Sequence, residues 1–337
     1  MPQNLIVFSH LRWDFVYQRP QHLLSRLARR YAVYFFEEPV RSPGASRLEV
    51  KNPTPNVTVC TPHTAKRAVG FHDDQLPALK VLLDELAQER DLRGGIVWFY
   101  SPMALPLAQQ LDPKVIVYDC MDELSAFLNA PKQLQQRENA LLKVADLVFT
   151  GGRSLYRAKR ERHPSVHCFP SSVDREHFAQ ALDADIDHPE QRALPQPRLG
   201  YFGVIDERVD LELIAELADT HPDWQLPVVG PIVKIDASAL PRRPNIHYFG
   251  QRGYAELPKF VAGWDVCLLP FALNHATRYI SPTKTLEYMA AEKRIVSTPI
   301  TDVVEPYGEI VLTADRSKFR AACELALAMP DAEWQAR

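Results

Sequence analysis

The sequence predicts an α/β protein built from two Rossmann-like, doubly wound domains that face each other across a cleft. Three observations carry that expectation. Short apolar runs alternate with amphipathic helical stretches, the pattern of a mostly parallel sheet covered by helices. The alternation runs twice, and between the two series residues 174–196 turn acidic and proline-containing and lose periodicity, as a connection does. The 337 residues also exceed one ordinary domain and suit two. The chain therefore reads as a first domain at 1–174, a connection at 175–197 and a second domain at 198–337.

In the first domain, Leu5-Ile6-Val7-Phe8-Ser9 has the continuous apolar character of a strand buried on both faces. A helix over 20–30 follows, with Leu23, Leu24 and Leu27 on one side. Further strands are expected at 32–36, 57–60, 96–100, 115–118, 147–150 and 166–169, and helices at 75–88 and 133–144. The second domain opens with a strand at 199–203 and continues with a helix at 211–220 and strands at 225–229, 246–249, 266–269 and 294–297. Helices at 281–291 and 319–328 complete it. In such sheets ligands sit outside the carboxyl ends of the strands.

Composition removes several function classes. A formal charge of −3 speaks against nucleic acid as a partner. The five cysteines are scattered and show no metal-binding spacing, so a reducing compartment is expected. There is no GxGxxG after the first strand, no GxxxxGK[ST] and no HExxH. Asp183-Ala184-Asp185 spells a DxD but lies in the connection, and no metal is expected. No apolar run reaches the length of a membrane span. Met1-Pro2-Gln3-Asn4 leads straight into a strand, so the protein is expected in the cytoplasm, with the Asn56-Val57-Thr58 sequon accidental.

The chemistry concentrates at 281–291. Ser281 reads as an N-cap and Pro282 as the first helical residue. The free N–H groups of Thr283 and Lys284 then point out of the helix end, where the positive dipole and the Lys284 ammonium together favour a phosphate. Glu287 lies one turn on and could accept two ribose hydroxyls. The alternative is a capped helix with an exposed Lys284–Glu287 ion pair.

Several segments resemble the GT-B glycosyltransferases of family 4, the group 1 class. Pro170-Ser171-Ser172-Val173-Asp174-Arg175-Glu176-His177-Phe178 is similar to the P-N-G-V-D-x-x-x-F that closes the family's first domain. Tyr201-Phe202-Gly203, Asn245-Ile246-His247-Tyr248-Phe249-Gly250 and Asp265-Val266-Cys267-Leu268-Leu269-Pro270 match its donor domain, and the 281–291 helix its donor-binding helix. Trp13-Asp14-Phe15-Val16-Tyr17-Gln18-Arg19-Pro20-Gln21-His22-Leu23 resembles a bacterial cell-envelope branch that includes teichuronic acid transferases. The resemblance implies a hexosyltransferase that takes a UDP-, GDP- or dTDP-linked sugar as donor and needs no other cofactor. It also implies a glycan or lipid-linked acceptor and retention of configuration. Gly203, Arg208, Gly250, Ser281, Thr283, Lys284 and Glu287 fall on the nucleotide-sugar side. The chain departs from the pattern where Tyr279 replaces the first glutamate of the family's pair, where Ile280-Ser281-Pro282 replaces a glycine-rich turn, and where Val204 replaces an arginine. Arg208 could clamp the diphosphate or pair with Asp206 or Asp210.

The loop after the first strand carries His10, Trp13, Asp14, Arg19 and Gln21, expected to face the acceptor. His10 and Asp14 join Lys284 and Arg208 as catalytic candidates, with a capping role as the alternative for Asp14 and Gln21. Asp119 and Asp122 follow the 115–118 strand and could bind acceptor hydroxyls or simply shape a turn. The basic stretch 156–163, with Arg157, Lys159, Arg160 and Arg162, could rest with Arg26, Arg29 and Arg30 on anionic lipid, or be a solvated face. Two other functions fit the same donor site: a GT-B sugar-nucleotide epimerase and a non-catalytic sugar-nucleotide-binding protein.

Overall fold

A computed structural model describes residues 3–337. The chain forms two compact units, one up to residue 125 together with 129–151 and 155–169, the other comprising 126–128, 152–154 and 170–337.

The first unit holds a nine-stranded sheet. Its strands are β1 (Gln3–Ser9), β2 (Tyr31–Glu37), β3 (Val40–Arg41), β4 (Arg47–Thr54), β5 (Val57–Thr64), β6 (Ile96–Phe99), β7 (Val115–Cys120), β8 (Leu147–Thr150) and β9 (Val166–Cys168). The order is β3-β5-β2-β1-β6-β7-β8-β9, with β4 antiparallel on β5 and all other pairings parallel. β1 is central because its residues 5–9 are fully buried apolar side chains and one serine, which only a strand covered on both faces can accommodate. Val7, Phe35, Trp98 and Val117 lie among the buried residues of one face, and Phe8 stacks on Phe99 at 5.4 Å on the other. β3 and β4 were not legible: β4 is largely exposed and polar, so it has no apolar run to betray it.

The second unit carries a six-stranded, wholly parallel sheet. It comprises β10 (Leu199–Phe202), β11 (Leu226–Val229), β12 (Ile246–Gly250), β13 (Val266–Leu269), β14 (Arg294–Ser297) and β15 (Leu312–Thr313), ordered β12-β11-β10-β13-β14-β15. The order reverses between β10 and β13, which opens the crevice that ligands use in doubly wound sheets. Residues 175–197 are folded into this unit as short helices. Gln191 there is fully buried and accepts from Trp264 Nε1 at 2.9 Å.

Two local expectations are corrected. The helix of the 281–291 stretch runs Thr283–Ala290, with Pro282 extended at the N-cap (ψ 117°) and no side-chain cap. Ser281 does not cap it; its carbonyl instead accepts from Ser171 Oγ at 2.6 Å. In the 156–163 stretch Arg157 and Arg160 are exposed, but two of the other cations are held by acids. Lys159 is fully buried between Glu138 and Glu123, each 2.6 Å away, and Arg162 donates to Glu138 at 2.9 Å. A buried ammonium needs such partners, and they cancel the charge a membrane would read.

Candidate functional site

In the second unit, three adjacent strands end in glycine: β10 is followed by Gly203, β11 by Gly230 and β12 closes with Gly250. Gly203 has φ +140°, and a Cβ there would lie 2.1 Å from Lys284 Cε and 2.6 Å from its Nζ. The lysine of the Thr283–Ala290 helix therefore occupies the space that a side chain at 203 would fill. Its ammonium stands 5.8 Å from the Tyr201 ring centroid. Gly230, with φ +147°, has its own Cβ space taken by the Gly203 carbonyl. Gly230 was missed from sequence, although a Gly-Pro pair closing an apolar strand is the signal for such a close backbone approach.

The helix is locked to the sheet by Tyr288, whose buried hydroxyl accepts from Phe202 N at 3.2 Å. That lock brings the N-terminal turn to the β10/β13 reversal. Glu287 is 8% exposed. Among the described residues its carboxylate accepts no hydrogen bond, which is rare for a buried acid. Burial raises its pKa to about 7, and the Lys284 charge only partly offsets that. The exposed ion pair offered as the alternative is thus not what forms. Thr283 begins the helix and Ser281 precedes it, both half-buried. Gly250 has φ +70° and open space around its missing side chain.

Arg208 is committed elsewhere. Its guanidinium donates to both carboxylate oxygens of buried Asp206, from Nε at 2.9 and 3.1 Å and from Nη2 at 2.7 Å. The pairing with Asp206 weighed from the sequence is the one present, and a diphosphate would have to compete with it.

In the first unit the expected acceptor residues separate into two groups. Arg19 and Asp119, a hundred residues apart, form a two-pronged ion pair at 3.1 and 3.0 Å, and Arg19 Nη1 reaches Phe169 O at 2.8 Å. Asp119 is completely buried, and so is neighbouring Tyr100, whose hydroxyl pKa burial and the Asp119 charge push well up. His10, at the end of β1, and Asp122, after β7, are half-buried at the same carboxyl edge of the sheet.

The other group supports rather than faces outward. Trp13 is buried and meets Phe35 edge-on at 5.2 Å, because a large apolar ring at the sheet end gains more from the core than from solvent. Gln21, 1% exposed, donates to the Trp13 and Val16 carbonyls at 2.8 and 3.0 Å and accepts from Gln18 N at 3.1 Å, tying the loop to its helix. Asp14 points to solvent and lies 3.8 Å from exposed Lys51, no setting for a catalytic acid or base. Glu37, missed from sequence, organises the same loop by accepting from Trp13 N at 2.7 Å, Arg12 at 3.0 Å and Thr61 at 2.8 Å. An acid ending the Phe35-Phe36 run was its visible signal. Among the described residues no group of three or more His, Cys, Asp and Glu side chains could hold a metal. Asp183 instead accepts from Asp185 N at 2.9 Å in a local turn.

Known proteins bear on this arrangement. Residues 196–328 match the family described as glycosyl transferases group 1. A Bacillus subtilis (strain 168) protein, TuaH, assigned as a teichuronic acid biosynthesis glycosyltransferase, is 27% identical over 277 residues, covering 74% of this chain and 68% of that one. Among solved structures, sucrose-phosphate synthase from Thermosynechococcus elongatus superposes with a TM-score of 0.72 at 16% identity, covering 98% of this chain and 91% of that one. An α,α-trehalose-phosphate synthase (UDP-forming) from Burkholderia vietnamiensis gives 0.70 at 16% identity, with 100% and 93% covered. The two α/β units, the second with a lysine-bearing helix at its strand reversal, thus have the GT-B fold of these structures. Within the second unit, residues 196–328 carry the group 1 glycosyl transferase domain.

Proposed function

We propose that this chain transfers a sugar from a nucleoside diphosphate-sugar, UDP-linked in the first instance, to a glycan or lipid-linked acceptor of a cell-envelope polysaccharide. The observation that carries the donor side is Glu287: a buried carboxylate without a hydrogen-bond donor, one turn from a lysine seated at the β10/β13 reversal. Lys284 and the helix N–H groups would hold the diphosphate and stabilise the charge that develops on it as the glycosidic bond breaks. Glu287 would take the ribose hydroxyls, which repay its desolvation. The UDP-forming and teichuronic acid relatives support the donor and acceptor classes. We place the reaction in the cytoplasm at the inner face of the plasma membrane. Arg29 and Arg30 remain as exposed cations for anionic lipid, and vesicle co-sedimentation tests that contact.

The decisive experiment measures release of free nucleoside diphosphate with and without acceptor polysaccharide. A transferase releases it only when acceptor is present, whereas an epimerase or a binding protein does not. Lys284→Ala should weaken binding of nucleoside diphosphate and of pyrophosphate alike, by about 1.5–3 kcal/mol for a charge-assisted contact. Unchanged affinity for both ligands would remove the helix from the donor site.

A further inference from the structure

The loop after β7 belongs to the first unit as far as residue 125, gives residues 126–128 to the second, and rejoins the first at 129. Its root is fastened. Glu123 accepts from the buried Lys159 ammonium at 2.6 Å through one oxygen and from Ser125 Oγ at 2.7 Å through the other. Its tip makes two kinds of contact within the second unit. Leu128 N donates to Glu207 Oε1 at 3.1 Å. The half-buried Phe127 ring has two cations against it, the Arg208 guanidinium 5.3 Å and the Lys234 ammonium 4.8 Å from its centroid. Each is drawn to the negative face of the ring.

Those two cations stand where a doubly wound sheet takes its ligands. Beyond the last residues of β10 and β11 the two segments stay side by side, with Ile205 N donating to Pro231 O at 2.9 Å and Val233 N to Ile205 O at 3.0 Å. Arg208 and Lys234 follow, past the carboxyl ends of the strands that lead into Gly203 and Gly230, and Lys284 fills the space beside Gly203. The local acids are already engaged. Asp206 holds the Arg208 fork, and Glu207 accepts from Leu128 with Lys234 Nζ 3.9 Å away. A ring attracts a cation weakly and accepts no strong hydrogen bond from it, whereas a phosphate oxygen offers a charge-assisted one. Phe127 and a diphosphate therefore compete for the same two side chains, and the phosphate is the better partner.

We propose that residues 126–128 form an autoinhibitory strap: Phe127 covers Arg208 and Lys234, and a nucleoside diphosphate gains these cations by lifting it. The inference rests on the nucleoside diphosphate reading of the second unit and adds a control on that site. The fastened root keeps the strap attached when its tip is displaced, so the cover returns once the nucleotide leaves.

Calorimetric titrations of the full chain with UDP, GDP and pyrophosphate supply the test. Phe127→Ala should bind pyrophosphate and the preferred nucleotide about 3- to 30-fold more tightly than the parent, the scale of two cation–π contacts that no longer compete. Phe127→Leu, which keeps an apolar cover but loses the ring's charge distribution, should fall between. Adding Arg208→Gln and Lys234→Gln to Phe127→Ala should cancel the gain. Hydrogen exchange supplies a readout that a merely structural loop would not give: in the parent, the Leu128 amide should exchange faster once nucleotide saturates the protein, because its bond to Glu207 is lost as the strap lifts. A Phe127→Ala protein that binds these ligands like the parent, or more weakly, would overturn the proposal. So would a gain that survives the loss of both cations, or Leu128 exchange that slows or stays constant on saturation. If neither the parent nor Phe127→Ala binds any of the three ligands, the donor-site reading itself fails and the strap with it, a result distinct from the others.

Discussion

Replacing Glu287 by glutamine should make the protein more stable while weakening its grip on nucleotide, and the gain should depend on pH. The folded-state pKa is about 7 against an ordinary 4.5. Between those values the folded chain holds a proton that the unfolded chain has released. The stabilisation due to the protonated acid is therefore complete below about pH 4.5, declines as pH rises, and is gone above about pH 7. At about 1.36 kcal/mol per pH unit, the charged form costs on the order of 3 kcal/mol at pH 8. Glutamine has nearly the same shape and no charge, so Glu287→Gln should exceed the parent by up to about 3 kcal/mol at pH 8, shrinking to under about 1 kcal/mol at pH 5. Urea unfolding of both proteins at the two pH values measures this directly. Melting temperatures should follow at about 2–4 °C per kcal/mol for a unit of this size. Titration with nucleoside diphosphate at pH 8 should show weaker binding by the variant, with pyrophosphate nearly unaffected. Parallel stability changes in the two proteins across that pH range would refute the reasoning, because they would mean that Glu287 titrates as a solvated acid.

Three further outcomes are expected. Gly203→Ala should lower nucleoside diphosphate affinity at least about tenfold, because its Cβ would displace the Lys284 stem from 2.1 Å away; Gly250→Ala, with open space around it, should cost only about 1–2 kcal/mol of backbone strain, read by urea unfolding. Arg19→Ala leaves the fully buried Asp119 without its counter-ion and should destabilise the first unit by about 3–5 kcal/mol, with Arg19→Lys recovering part of the loss in the same assay. Sugar transfer should proceed unchanged in chelator. Loss of activity restored by Mn²⁺ or Mg²⁺ would contradict the assignment of phosphate binding to Lys284 and the helix end.

The fold was legible wherever burial imposes a pattern. The Leu5–Ser9, Leu199–Gly203 and Val266–Leu269 runs each gave a strand because a two-faced parallel sheet demands continuous apolar sequence. What burial does not control was hidden: β4 is polar and exposed, and β15 has only two residues. The helix in the 281–291 stretch was legible in kind but not in its first residue. Pro282 fits both N1 and an extended N-cap, and the carbonyl of Ser281 is claimed by Ser171, a partner far away in sequence. The loop after β1 was the least readable. Position after β1 placed Trp13, Asp14, Arg19 and Gln21 together, but only tertiary contacts decide that Trp13 and Gln21 turn inward, Asp14 outward and Arg19 across to Asp119. Lys159 taught the same lesson in reverse, since a cation within a basic run looks solvated until its buried acids are seen.

The antiparallel β4 strand bears on how this protein behaves at high concentration. A parallel sheet that ended at β5 would offer a row of free backbone donors and acceptors to any other extended chain. β4 occupies that row with alternating Arg47, Glu49 and Lys51 and closes it near Pro53, which has no N–H to give. A second molecule approaching this edge meets like charges and an interrupted hydrogen-bonding ladder. Deleting 43–54 would leave the rest of the sheet paired as before, yet turn its margin into a template for fibrous self-association.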